Sequence, residues 1–181
     1  MAKGKTKTKT KAKAKKSAIN LRAIVLIVIG LATFGLGFIP ATRIVQTNLL
    51  GKETVHITNF YNLIGNAFSD GATTEYLIMG IATLIAFISA GLMVVLGVMW
   101  MFNLLSGKEA IIALVLYGLM LIAIITYIIC FYVWKADITT HEIIPGYTIT
   151  TETPISTFVY FLLGLDVLGL VGHLFLHKIK I

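Results

Sequence analysis

The sequence predicts an all-α membrane protein, a four-transmembrane-helix bundle with a small extracellular cap made of a short amphipathic helix and a β-hairpin. Hydrophobic residues make up 57% of the 181 residues and charged residues only 13%, against roughly a quarter in soluble domains. Four long apolar runs follow a lysine-rich leader, and nearly all basic residues fall on one side of these runs. Together the runs, their connections and the leader indicate a single membrane domain.

Each apolar run can cross a hydrocarbon core of about 30 Å, which takes about 20 helical residues. The first run follows a basic segment, as in a secretory signal, but it lacks an A-x-A cleavage site, so we expect it to be retained. Pro40 should end this run, because proline cannot continue the helical hydrogen-bond ladder. A short turn over 103–108 should make the second and third spans antiparallel neighbours. The predicted spans are 22–39, 76–103, 110–134 and 156–177.

The basic residues also predict an orientation, because Lys and Arg concentrate in cytoplasmic loops. With the N-terminus in the cytoplasm, only Arg43, Lys52 and Lys135 of the 15 Lys and Arg lie outside. We therefore predict a multi-pass protein of the cell (plasma) membrane with cytoplasmic N- and C-termini. Its outer loops are 40–75 and 135–155.

Residues 1–17 alternate lysine with Thr, Ala or Gly and have no apolar surface to bury, so they predict a disordered polybasic cytoplasmic leader before a transmembrane domain of 18–181. The leader can act as an orientation signal, adsorb to anionic lipid headgroups at about 1 kcal/mol per lysine, or contact an acidic partner. We do not expect nucleic-acid binding, because no aromatic residue interleaves the lysines to stack on bases. The lysines are Lys3, Lys5, Lys7, Lys9, Lys11, Lys13, Lys15 and Lys16.

The first outer loop contains apolar residues at helical spacing, which predicts a short amphipathic helix. Its apolar face can lie on the membrane, cap the bundle or bind a partner, and we expect one of the two structural roles. These residues are Phe60, Leu63, Ile64, Ala67 and Phe68.

The second outer loop predicts a β-hairpin, because ITTHEII and YTITTETP are rich in Thr, Ile and Tyr and flank a turn at Pro145-Gly146. Residues 55–58 can add a further strand. Since a two-stranded hairpin alone is marginally stable, we expect it to pack on the first loop or on another subunit.

Four spans with both ends inside, a long first outer loop and a shorter second one resemble the layout of claudin-type tetraspan proteins. The resemblance covers layout alone. Cys130 is the single cysteine, so the chain has neither the paired cysteines of the claudin first loop nor the cysteine-rich second loop of tetraspanins. The resemblance therefore implies an architecture and no residue roles.

The fourth span carries an ionisable stripe. Asp166 lies near the bilayer centre, where a charge costs roughly 2.5–3.5 kcal/mol, so it should face the bundle interior or another subunit. His173 and His177 return to within about 20° of its direction at 100° per residue. The functional interpretations are a proton path, a quinone site or a metal site. The structural one is a hydrogen bond from Asp166 to a residue across the bundle, with candidates Thr33, Thr83, Ser89, Thr126 and Tyr127.

Spacing narrows these alternatives. Asp166 and His173 lie about 10 Å apart along the helix, too far to bind one metal ion. His173 and His177, at i and i+4, are candidate metal ligands, but two ligands do not make a site. The glycines of this span should let another helix pack closely on it. They are Gly164, Gly169 and Gly172.

The sequence contains no Ser–His–Asp or Cys–His set, no Gly-rich phosphate loop and no paired intramembrane carboxylates, so we expect no enzyme, no catalytic residues and no cofactor. We expect a structural, assembly or accessory subunit that acts through helix packing, outer-loop contacts and its cationic inner tail. Its partners would be the lipid bilayer and other membrane protein subunits or further copies of itself. The alternative is an accessory subunit of a respiratory or redox complex, or a small transporter, in which Asp166 and His173 handle protons or a quinone.

Overall fold

A computed structural model describes residues 21–47, 53–102, 104, 108–139, 151–152 and 155–176. This part of the chain forms five helices and three strands. In chain order they are α1 (Leu21–Leu36), β1 (Pro40–Thr47), β2 (Glu53–Asn59), α2 (Phe60–Ala67), α3 (Thr74–Met101), α4 (Glu109–Thr139), β3 (Thr151–Glu152) and α5 (Thr157–Leu176). The lysine-rich leader and His177 lie outside the described residues.

Three of the helices are long and apolar enough to cross a membrane, over Thr74–Met101, Glu109–Ala136 and Thr157–Phe175. The fold is therefore that of a membrane-embedded, mainly helical protein. The first predicted span, 22–39, corresponds to α1, whose 16 residues rise about 24 Å and which is too short to be counted with these three. It ends at Leu36, three residues before the predicted boundary.

The helix of the third predicted span extends beyond the predicted bound of that span. α4 continues to Thr139, because Lys135 and Ala136 favour helix and carry it past the predicted end at 134. Ile138 and Thr139, predicted to begin the second-loop hairpin, are therefore helical. The predicted turn at Pro145-Gly146 lies outside the described residues.

The hairpin that the structure describes belongs to the first outer loop. β1 and β2 pair antiparallel, with Ile44 opposite His56 and an irregularity in the pairing between Pro40 and Thr42. On its other side β1 pairs antiparallel with β3 through Val45 and Glu152, so the sheet order is β2-β1-β3. The stretch 55–58 thus shares one sheet with residues of the second outer loop, as the sequence suggested.

α1 and α3 pack backbone against backbone through two glycines. A Cβ atom at Gly30 would lie 2.6 Å from the carbonyl oxygen of Ala90, and one at Gly97 would lie 2.8 Å from that of Ala23. Such small residues allow helices in an apolar medium to approach closely. The order of these contacts shows that α1 lies antiparallel along the second half of α3.

α2 covers the first half of α3. Leu63 and Ala67 are buried, and a Cβ atom at Gly80 of α3 would collide with the Cβ atom of Ala67. The predicted amphipathic face therefore packs on the bundle. Phe68, predicted to belong to that face, is exposed because the helix ends at Ala67. α2 begins at an N-cap, where the Asn59 side chain accepts a 2.7 Å hydrogen bond from the Asn62 N–H.

Tyrosine side chains bond the backbone where the chain leaves α1 for the sheet. The Tyr61 hydroxyl donates to the carbonyl of Phe34, in the last turn of α1, at 2.9 Å. The buried Tyr127 hydroxyl donates to the carbonyl of Ala41 in β1 at 3.3 Å. The last carbonyls of a helix have no intrahelical partner. Here the carbonyls of residues 34–36 accept backbone hydrogen bonds from the three residues after the helix, so Tyr61 is a second donor to Phe34. The two tyrosines therefore tie α2 and α4 to the segment between α1 and the sheet.

The α1–α3 contact predicts that Gly30→Ala destabilises the protein by about 1–3 kcal/mol, since its methyl group would overlap the backbone of α3. The matched control is Gly35→Ala in the same helix, where nothing lies within 4 Å of an added Cβ. That control should be neutral or stabilising by up to about 1 kcal/mol, because alanine favours helix over glycine. Thermal unfolding in mild detergent measures both variants. Equal midpoints would contradict the packing.

Candidate functional site

The ionisable stripe of α5 faces the inside of the bundle. Asp166 is 0% exposed, and His173, seven residues further along the same face, is also buried. Gly169 lies between them on this face and is buried as well. A carboxyl group in such surroundings is costly unless it finds a partner, so what lies opposite this face matters.

Tyr117 of α4 lies opposite the stripe. A Cβ atom at Gly169 would meet the Cε1 and Cζ atoms of the Tyr117 ring at 2.7 and 3.1 Å, so glycine makes the slot in which the ring sits. The ring centroids of Tyr117 and His173 lie 6.0 Å apart. The phenol also lies close enough to Asp166 for the two groups to interact electrostatically. The structure thus groups Asp166, Tyr117 and His173.

Tyr117 was missed from the sequence, although a signal existed. It is a tyrosine eight residues into a long apolar helix that begins at Glu109. Tyrosines of membrane helices gather at the interfaces, where the hydroxyl reaches water. A fully buried one away from the helix ends therefore indicates a polar partner or a function.

The predicted hydrogen bonds across the bundle were wrong for three of the candidate partners. Thr33 donates to the carbonyl of Ile29 at 2.9 Å, and Thr83 to that of Met79 at 2.8 Å. Both threonines bond back to their own helix, four residues earlier, and Tyr127 bonds to β1. Among the described residues, neither carboxyl oxygen of Asp166 has a hydrogen-bond partner, and the same holds for the hydroxyl of Tyr117.

A cavity of about 200 Å³ opens beside this group, at the end of the bundle where α1 and α4 begin. We call this end the Arg22 end. Arg22, Leu114 and His173 are among the residues that line the cavity. The ring of His173 also contacts Trp100, at 5.7 Å between centroids. Cationic, imidazole and apolar groups thus surround the entrance to the stripe.

A second, small cavity lies in the centre of the bundle, on the other side of Asp166. Its volume is about 30 Å³, and its lining includes Leu162, one helical turn before Asp166. Thr33, Thr83 and Tyr127 also line it, but their hydroxyls bond elsewhere. This space suits a water-sized molecule rather than an organic ligand.

The remaining predicted site residues are distributed differently. The described residues contain no group of three or more His, Cys, Asp or Glu that could hold a metal ion. Of the predicted packing glycines, Gly169 packs closely against the Tyr117 ring of the same chain. Gly164 and Gly172 have nothing within 4 Å of an added Cβ, so close packing there would need another chain and stays a prediction.

Comparison with known proteins identifies no relative: no family model matches this chain, and no curated protein or solved structure is significantly similar to it. Function therefore has to be argued from the geometry.

The Tyr117 slot predicts that Gly169→Ala is destabilising, by about 1–3 kcal/mol, because the methyl group would displace the tyrosine ring. Gly172→Ala in the same helix is the matched control and should be tolerated, since its surroundings are open. Thermal unfolding gives the stability, and tyrosine fluorescence reports the ring's surroundings. A harmless Gly169→Ala substitution would show that the slot is not tightly packed.

Proposed function

We propose that the chain is a four-span integral protein of the cell membrane, with α1, α3, α4 and α5 as spans and both termini in the cytoplasm. The charge distribution supports this orientation, since Arg22 and Lys108 lie at the starts of α1 and α4. Arg43 in β1 and Lys135 near the end of α4 belong to the opposite, outer side. α1 is short for a span, but α2 continues the cover of α3 beyond it.

We propose further that the protein acts as a structural, assembly or accessory subunit and has no catalysis of its own. The observation that carries this proposal is the outer edge of the sheet. Among the residues that the structure describes, β2 is an edge strand of seven residues, paired on one side with β1. Its Val55 and Ile57 side chains are 43% and 60% exposed.

An open strand edge with apolar side chains is a surface that another chain can extend. Val55 and Ile57 lie outside the apolar helices, so in the proposed topology lipid does not cover them. Exposed apolar surface in water favours association. We therefore assign β2 as the contact with an outer domain of a membrane partner. The lysine-rich leader would contribute a second, electrostatic contact with anionic headgroups on the cytoplasmic face.

This proposal predicts that the full chain, extracted in mild detergent, migrates as a larger assembly. Ile57→Lys should reduce that assembly to the single chain, because it puts a charge on the apolar face that Val55 and Ile57 share, whereas His56 lies on the other face of the strand. His56→Lys, also on the exposed part of β2, is the matched control and should leave the assembly intact. Native gel electrophoresis with light scattering measures both. A wild-type chain that is monomeric in detergent and not crosslinked in membranes would overturn the subunit role.

The full burial of Asp166 favours a second candidate function. In this alternative the chain is an accessory subunit of a respiratory or redox complex, or a small transporter, that uses Asp166 and His173 to handle protons or a quinone. A purely structural polar residue would be expected to have a bonding partner, and among the described residues the carboxyl oxygens have none.

Substitutions of Asp166 separate the two functions. Under the second, Asp166→Asn and Asp166→Leu leave the assembly intact but lower its proton transport or redox activity. Under the first function, these substitutions change the measured activity only in proportion to the amount of intact assembly. Full activity with Asp166→Leu would exclude the second candidate, while activity lost from an intact assembly would exclude a merely structural Asp166.

A further inference from the structure

Asp166 and Tyr117 form a pair of buried polar groups on two helices that face each other. Both side chains are 0% exposed, and neither Asp166 oxygen nor the Tyr117 hydroxyl bonds to a described residue. Gly169, three residues after Asp166, holds the phenol ring against α5. A hydroxyl both donates and accepts, so Tyr117 matches either protonation state of a neighbouring carboxyl group.

The size and chemistry of the surroundings select the ligand. A quinone or another organic molecule needs a pocket of several hundred Å³, whereas the central cavity lined by Leu162 has about 30 Å³ and the cavity at the Arg22 end about 200 Å³. Calcium takes about six to eight oxygen ligands, and the pair offers three side-chain oxygens. A proton needs neither volume nor a full coordination shell. The pair is therefore suited to bind a proton.

The surroundings also indicate the side from which a proton would arrive. The cavity at the Arg22 end has about 200 Å³ and is lined by Leu114, one turn before Tyr117, and by His173. The Tyr117 ring lies between His173 and the level of Asp166. On the other side, Leu162 and the small central cavity separate Asp166 from the cap.

We propose that Asp166 and Tyr117 form a proton-binding site that exchanges with water through the cavity at the Arg22 end. The proton binds a carboxyl oxygen of Asp166, and its path to the cavity runs past the Tyr117 ring toward His173. This inference rests on the second candidate function and names its ligand as the proton. It does not require the transport activity itself.

Within the described part of the chain, few other ionisable groups face this site. α1 contributes Arg22 at the mouth of the cavity, and α5 contributes His173. α4 contributes Glu109 at its first residue, toward the same end. The ionisable residues of α3 are Glu75 and Tyr76, at the opposite end of the bundle. A titration seen at the centre of the bundle is therefore assignable to the pair.

Infrared spectroscopy of the full chain in nanodiscs tests the binding. The chain has three aspartates, Asp70, Asp137 and Asp166, so isotope-labelled aspartate marks three carboxyl groups. The Asp70→Asn/Asp137→Asn double variant leaves Asp166 as the single labelled one, and Asp166→Asn removes it. We expect a protonated-carboxyl band in the double variant that titrates between about pH 3 and pH 10, and no such band in Asp166→Asn. A band that does not titrate would overturn the proposal.

The role of Tyr117 has a matched control in the same helix. Tyr117→Phe should move the titration midpoint toward higher pH by about one pH unit, about tenfold in proton affinity, because the carboxylate would then face an apolar ring in place of a hydroxyl. Tyr127→Phe, whose hydroxyl bonds to Ala41, should leave the midpoint unchanged. Equal midpoints for the two variants would remove Tyr117 from the site.

The route is tested by the rate at which the Asp166 band exchanges in D₂O. Leu114→Phe enlarges a side chain in the cavity and should slow exchange severalfold. Leu119→Phe, on the exposed face of the same helix, should not. Unchanged exchange in Leu114→Phe would overturn this route. The titration can fail while the partner contact at β2 stands, so the two proposals fail separately.

Discussion

The backbone of this protein has to satisfy its own hydrogen bonds, because an apolar medium offers neither donors nor acceptors. Three long helices meet this demand along their whole length. Regular hydrogen bonding is interrupted between Leu36, where α1 ends, and Pro40, where the sheet begins. There, hydroxyls of Tyr61 and Tyr127 bond to backbone carbonyls. Backbone bonds from residues 37–39 satisfy the last carbonyls of α1, and the tyrosines of α2 and α4 join this segment to the rest of the bundle.

The same constraint explains how the cap and the bundle are joined. α2 supplies Tyr61 and packs Ala67 against Gly80. It therefore covers the part of α3 that the short α1 does not reach. The hairpin of β1 and β2 lies between α1 and α2 in the chain. A partner that binds the outer edge of β2 would therefore pull on elements that contact α3 and α4 directly. Contacts of β1 with α4 and of α2 with α3 therefore link the proposed recognition surface to the bundle interior.

The polar group around Asp166 has the opposite character, since its buried oxygens lack bonds to the described residues. An unsatisfied buried polar group costs about 1–3 kcal/mol, so a bundle retains such groups at the expense of stability. Tyr117 and Asp166 lie near each other because Gly169 leaves room for a ring. The Tyr117 ring packs tightly at Gly169, beside carboxyl oxygens that have no bonding partner among the described residues. Such a place suits reversible binding of a small ligand, which is the role proposed for the proton.

The sequence by itself determined the membrane class, the approximate bounds of three long helices and the position of α2, because these follow from local runs and spacing of apolar residues. It also singled out Asp166. Only the tertiary structure decided that a hairpin lies within residues 40–59 and that Tyr117 lies opposite Asp166. Strand pairing and the contacts of a buried side chain depend on residues far apart in the chain, such as Tyr117 and Gly169, whose proximity no local pattern encodes. The tight contacts of Gly30 and Gly97 likewise depend on how α1 packs on α3, which the sequence around each glycine does not show.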